Sequence, residues 1–204
     1  MSTASDPLSY GTQKLIGELV LENFSRRGFL DGRAVRLPGI VARPLEPSGL
    51  ISAFMSDVMR RLSAGEPFTC PVSSEAVMWW MSAQCCAQNL IHAATMPAGA
   101  SYGQEATMPA GASYGQEATM PIQRGSSRVT LLPALRATMH EIVAGIAGLY
   151  GSDRLELIRY ELNEQVEAGF GRFPPMDSSA AEALGFHHDG SVIALINNAL
   201  GRTS

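Results

Sequence analysis

From about Leu8 to Arg27, apolar residues recur at three- and four-residue spacing, with Leu15, Ile16, Leu19, Val20 and Phe24 along one side of a helix that Gly28 can stop. A β-rich run, Ala34 to Val41 (AVRLPGIV), follows closely, bounded by Gly32 and Pro44 and broken at Pro38. A helix feeding directly into a buried, proline-interrupted strand constrains the chain to folds in which helices pack on a sheet. The alternation continues downstream. Gly49 to Ser63 has helical period, Phe68 to Val72 and Val77 to Met81 read as strands, and Ser82 is placed to cap a helix reaching about Ala93. Arg128 to Leu132 predicts a strand, Pro133 to about Gly148 a helix with Pro133 in its first turn, and Leu155 to Leu162 a strand of mixed pattern that leaves helix open. Ser179 and Glu182 have capping-box spacing before a short helix ended by Gly185, and a last helix is expected from Ser191 to Leu200. The expected class is therefore α/β.

Composition excludes several functions and leaves chemistry to local patterns. The chain has 204 residues, 46% apolar and 17% charged, an ordinary globular balance. Its net charge of −4 carries no basic run, which argues against nucleic acid and anionic membranes as partners. No apolar stretch is long enough to span a bilayer, and the start, MSTASDPLSYG, has neither the basic nor the apolar part of a signal peptide. Cys70, Cys85 and Cys86 form no CxxC pair, so neither a disulfide framework nor a structural zinc site is expected, and a cytoplasmic location fits. The twelve residues ATMPAGASYGQE occur at 94–105 and again at 106–117, and ATMP restarts at 118. Two identical copies, poor in large apolar residues, cannot stack a solenoid core and read as a duplicated surface loop at 94–121.

Of fifteen basic residues, Lys14 is the one lysine, and it stands four residues after Tyr10 in Ser9-Tyr10-Gly11-Thr12-Gln13-Lys14. On a helix, residues at that spacing share a face and their side chains can converge. A phenol beside an ammonium is a general acid/base suited to taking a proton from an alcohol, because the cation favours the phenolate. The same spacing also suits an ordinary pair on a solvated helix face.

The run SYGTQKLIGELVLENFSRRGFLDGRAVRLPGIVARP resembles the active-site helix and following strand of the extended short-chain dehydrogenase/reductase family, the NAD-dependent epimerase/dehydratase group. The likeness continues through SAFMSDVMRRLSAGEPFTCPVSSEAVMWWMSAQCCAQNLIHAA, resumes at RVTLLPALRATM and ends with AEALGF. It implies the C-terminal part of a Rossmann-type doubly wound sheet plus a smaller α/β substrate lobe. Residues 1–45 would be the end of the dinucleotide-binding domain and 46–204 the substrate-binding lobe. It implies NAD as cofactor and a small polyhydroxy acid or sugar-like alcohol as substrate. Tyr10 would be the general acid/base, and Lys14 would hold the nicotinamide ribose. Leu37, Pro38 and Ile40 would lie against the nicotinamide end, and Arg43 and Trp80 would face the substrate. Members of the family begin with a glycine-rich cofactor loop and place the tyrosine's partner serine upstream. Tyr10 is close to the first residue here, and neither Ser5 nor Ser9 is far enough from it to serve. The chain is thus expected to be a truncated copy, inactive alone, with a non-catalytic remnant or interaction module as the alternative and homo-oligomerisation open.

Other motifs read as structure. Gly145-Ile-Ala-Gly148-Leu-Tyr-Gly151 has phosphate-loop spacing, but a helical run precedes it where a strand is needed. Tyr102 and Tyr114 lack a lysine four residues on, having Ala106 and Ala118 there. His187-His188 has no third ligand at useful spacing and reads as solvated, His92 and His140 default to core or boundary, and Cys85-Cys86 predicts one buried and one less buried thiol.

Overall fold

The computed structural model describes residues 7–43, 50–97 and 128–202. Most of the duplicated loop therefore lies outside the described residues, as does Gly49.

Helix α1, Pro7–Arg26, ends as its sequence implies. Gly28 takes φ 76°, its N–H donates to Ser25 O at 3.0 Å, and the N–H of Phe29 donates to Phe24 O at 3.1 Å. That is a Schellman ending, closed by the Phe24 and Phe29 rings at 5.8 Å. The β-rich run then divides at Leu37-Pro38 into β1 (Ala34–Arg36) and β2 (Gly39–Val41).

The two halves of that run join different sheets. Strand β1 pairs in parallel with β5 (Val129–Leu131), whereas β2 pairs in parallel with β4 (Val77–Ser82), Gly39 lying opposite Trp80. Strand β6 (Leu135–Thr138) adds antiparallel on the other side of β4. A third pairing joins β3 (Phe68–Cys70) in parallel with β7 (Ile158–Tyr160). The chain crosses between the first two sheets twice, at Leu37-Pro38 and again between β5 and β6, where Pro133 lies. Proline has no N–H to give a ladder, so a point where the ladder is left is where it costs least. Mixed α/β structure with parallel pairing is therefore the observed class.

The expected helix from Pro133 is corrected. Residues 135–138 are strand, and α4 runs Met139–Tyr150 from a capping box in which Thr138 Oγ1 accepts from Glu141 N at 3.1 Å and Glu141 accepts from Thr138 N at 2.7 Å. The mixed run 155–162 resolves into a 3-10 turn, Ser152–Glu156, and β7. Helix α2 is Phe54–Ala64, preceded by a 3-10 turn at Ile51–Ala53, and α3 is Ala83–Thr95, capped by Ser82 through Cys85 N at 3.0 Å. A further helix, α5 (Glu164–Phe170), has no counterpart in the sequence reading. Then come α6 (Ser179–Ala183) and α7 (Val192–Leu200), the latter capped by Ser191. Ser179 does not cap α6. Its hydroxyl donates to Asp177, while Ser178 donates to Glu182.

The main core lies between the β4 sheet and helices α2, α4 and α7, where Met59, Leu62, Met78, Trp80, Met139, Ile142, Ile146, Leu195 and Ile196 are fully buried. At Gly145, where α4 meets α7, a Cβ would lie 2.7 Å from Val192 and 2.8 Å from Ile196, so the glycine spacing serves helix packing. The Gly145–Gly151 run is the interior and end of a helix, not a loop facing phosphate. A second cluster holds Met81, Cys85, Cys86, Leu132 and Phe186.

Candidate active site

Helix α1 carries Tyr10 and Lys14 on one face. The Lys14 ammonium lies over the Tyr10 ring, 5.1 Å from its centroid, and the ring is 60% exposed, so both groups are open to an incoming molecule. They stand at one side of a cavity of ≈ 700 Å³, a size suited to a small ligand. The same cavity is lined by Leu37 and Pro38 at the crossing between the sheets, by Ile40 in β2, and by Arg43. Six of the residues singled out from sequence, Tyr10, Lys14, Leu37, Pro38, Ile40 and Arg43, therefore line one cavity.

Trp80 does not, and its assignment to the substrate is corrected. Its side chain is fully buried in the core and its indole N–H donates to Ala137 O at 3.1 Å. The neighbouring Trp79 lines the cavity instead. It is held by stacking on Phe173 (centroids 4.9 Å apart, 29° between planes) and by donation from its indole N–H to Pro174 O at 2.9 Å. Successive strand side chains point to opposite faces, so only one of the pair can reach the cavity.

Three features of the wall were not anticipated. Gly39 lets β2 approach β4, since a Cβ there would lie 2.7 Å from Trp79 O and 2.6 Å from Met55 Cε. Glu18 on α1 accepts both ends of the Arg36 fork, at 2.9 and 2.8 Å, and ties α1 to β1. That hydrogen bond raises the Arg36 pKa, against the opposing effect of burial. Ser52 brings a hydroxyl to the cavity beside Arg43. A cavity-lining acid at i+4 from a lysine was the one local cue available, Glu18 being four residues after Lys14.

Several other polar groups serve the structure. Asp189 accepts from Ser82 N at 2.9 Å, Ser82 Oγ at 2.6 Å and Asn198 Nδ2 at 2.8 Å, which pins the C-terminal segment to the start of α3. His187 lies 3.5 Å from Cys85 Sγ, and Asn89 bridges the same loop by accepting from His187 N and donating to His187 O. Cys85 and Cys86 are both buried, Cys86 the less so at 6% against 2%, and burial pushes the Cys85 thiol up to about 12. His92 bonds Leu184 O at 2.8 Å and meets Phe186 edge-on, while His140 is exposed. Among the described residues no group of three or more His, Cys, Asp or Glu is placed to hold a metal, and no helix is long and apolar enough to cross a membrane.

Several known proteins are similar to this chain. D-erythronate dehydrogenase of Haemophilus influenzae is 33% identical over 190 residues, covering 92% of this chain. The resemblance to extended short-chain dehydrogenases holds. D-erythronate dehydrogenase of Cupriavidus necator is 32% identical over 191 residues, 93% of this chain. The chain spans about half the length of these relatives, 53% and 52%. Among solved structures, the nucleoside-diphosphate-sugar epimerase from Agrobacterium tumefaciens superposes with a TM-score of 0.76 at 30% identity, over 96% of this chain and 52% of that one. No family model matches the chain.

Proposed function

We propose that this chain contributes the catalytic helix and the substrate-facing half of an NAD-dependent dehydrogenase acting on a small polyhydroxy acid or sugar-like alcohol. The observation that carries the reading is the Tyr10–Lys14 pair on one face of α1, lining a cavity of ≈ 700 Å³. In this division residues 1–45 complete the dinucleotide-binding part and 46–204 form the substrate lobe. Three free, buried thiols, Cys70, Cys85 and Cys86, support a reducing cytoplasm as its setting.

Oxidising an alcohol to a carbonyl removes a proton from oxygen and two electrons with the hydrogen on carbon. We assign the proton transfer to Tyr10. Its phenol oxygen accepts the hydroxyl proton during oxidation and returns it during reduction. Lys14 keeps a positive charge beside the ring while that proton moves. The wall fits a nicotinamide nucleotide, with Leu37, Pro38 and Ile40 offering apolar surface and the Lys14 ammonium offering donors to ribose hydroxyls. NAD, when bound, supplies the two-electron acceptor. Glu18 and Arg36 fix the helix that carries both catalytic groups.

A second reading, an interaction module, is favoured by the apolar residues that α1 leaves exposed, Ile16, Leu19, Val20 and Phe24. The two separate by kinetics. With the chain joined to the remaining half of such a dehydrogenase, Tyr10→Phe is expected to lower turnover by roughly two to four orders of magnitude with little change in NADH affinity. Turnover within a factor of about two of the parent would sink the catalytic assignment and leave the interaction module standing.

A further inference from the structure

The cavity wall beyond the sheet crossing has a chemistry of its own. Arg43 follows β2, and the backbone is gripped at two points on Arg43 and one on Ala42. The Arg43 N–H donates to Ser56 Oγ at 3.1 Å, and Arg60 donates to the carbonyls of Arg43 and Ala42 at 2.5 and 2.6 Å. The root of the Arg43 side chain is thereby held still. Its guanidinium gives one N–H to Ser52 Oγ at 3.3 Å, and among the described residues no carboxylate pairs with it. A serine hydroxyl that has accepted from arginine keeps its own O–H to donate, and the guanidinium keeps further N–H groups. Both side chains line the cavity, so this end presents donors and a positive charge, while Leu37, Pro38, Met55 and Trp79 nearby are apolar.

We infer that Arg43 and Ser52 form a clamp for the substrate's carboxylate, with Arg60 a positioning residue that holds the Arg43 backbone. The inference rests on the dehydrogenase reading above and, of its two substrate classes, selects the hydroxy acid over the sugar-like alcohol. A carboxylate is acceptor-only and planar, and it matches one guanidinium fork supplemented by one hydroxyl. A neutral polyol can accept a hydrogen bond at such an end, but it gains no charge assistance there and its own O–H finds no acceptor on the guanidinium. A phosphate dianion calls for more donors than one fork and one hydroxyl provide.

The test uses the chain itself and needs neither cofactor nor turnover. Trp79 in the wall makes intrinsic fluorescence the readout, with D-erythronate and erythritol as probes that differ only in carboxylate against CH2OH, and inorganic phosphate as competitor. Erythronate is expected to bind at least about tenfold more tightly than erythritol, as charge-assisted hydrogen bonds allow. Arg43→Gln should remove most of that preference and leave erythritol binding unchanged. Ser52→Ala, a smaller change, should cost about threefold for erythronate alone. Equal affinity for the two probes in the parent chain would overturn the clamp and leave the dehydrogenase reading intact. So would an Arg43→Gln loss shared by both probes at unchanged Tm, or phosphate competing as strongly as erythronate. Absence of binding by either probe would overturn the clamp and leave the dehydrogenase reading to the Tyr10→Phe kinetics.

Discussion

Helix α4 buries Met139, Ile142, Val143, Ile146 and Ala147, whereas α1, also rich in Leu, Ile and Val, leaves Ile16, Leu19, Val20 and Phe24 between 42% and 54% exposed and buries only Ser25 of the side chains described on it. The first of these helices is fixed by packing on α2 and α7. The second is fixed at a few polar and terminal points, the Glu18–Arg36 fork, Ser25 accepting from Gly32 N at 3.0 Å, and the Gly28 ending. A helix held this way can present Tyr10 and Lys14 to a cavity without burying them. Under the proposed function, stability and chemistry are carried by different helices, and substitutions on each should fail in different ways.

The largest expected effect is in the packed helix. Ile142→Ala removes a fully buried side chain between α4 and its neighbours, and should cost about 2–5 kcal/mol by denaturant unfolding. A loss under about 1 kcal/mol would mean that α4 packs no more tightly than α1.

Next comes the start of the same helix. Thr138→Ala removes a side chain that caps Glu141 N and should cost about 1 kcal/mol. The effect should depend on pH. Hydrogen bonds from Thr138, backbone first, lower the Glu141 carboxyl below its ordinary 4.5. A carboxyl depressed in the folded state stabilises it above the unfolded value, and that contribution is lost as pH falls through the folded one. The Tm gap between parent and Thr138→Ala should therefore narrow as pH drops below 4.5, the cap from Thr138 Oγ1 to Glu141 N remaining, and a gap that stays constant to pH 3 would contradict the carboxylate's part in the cap.

The smallest effect is expected on α1. Val20→Ser and Ile16→Ser should each change stability by about 0.5 kcal/mol or less, as exposed positions do. A larger loss that grows with protein concentration would show that a second copy covers this face, and would erase the contrast between the helices.

What sequence alone could reveal follows the same divide between local and long-range causes. The extent of α1, its Gly28 stop, the Pro38 break and the Ser82 and Ser191 caps all arise within a few residues of chain and were readable there. Strand β6 was not, because Leu-Arg-Ala-Thr prefers helix and becomes strand only through its pairing with Val77–Trp80. The Thr138–Glu141 spacing that marks the true helix start was present and was missed. Which of Trp79 and Trp80 faces the cavity was unreadable, since β4 is buried on both faces and shows no polar alternation. Ser52 and Arg60 reach Arg43 only through the fold. Tyr10 and Lys14, one turn apart, needed no such help.

The crossing at Leu37-Pro38 also dictates how this wall can vary. Two residues carry the chain out of one ladder and into another, so the register of β2 against β4 is counted from that joint. Because strand side chains alternate with period two, one inserted residue would turn Ile40 away from the cavity and swing Arg43 off its clamp, whereas exchanging Leu37 for another apolar residue would leave both in place. Spacing, more than side-chain identity, is what this bend has to preserve.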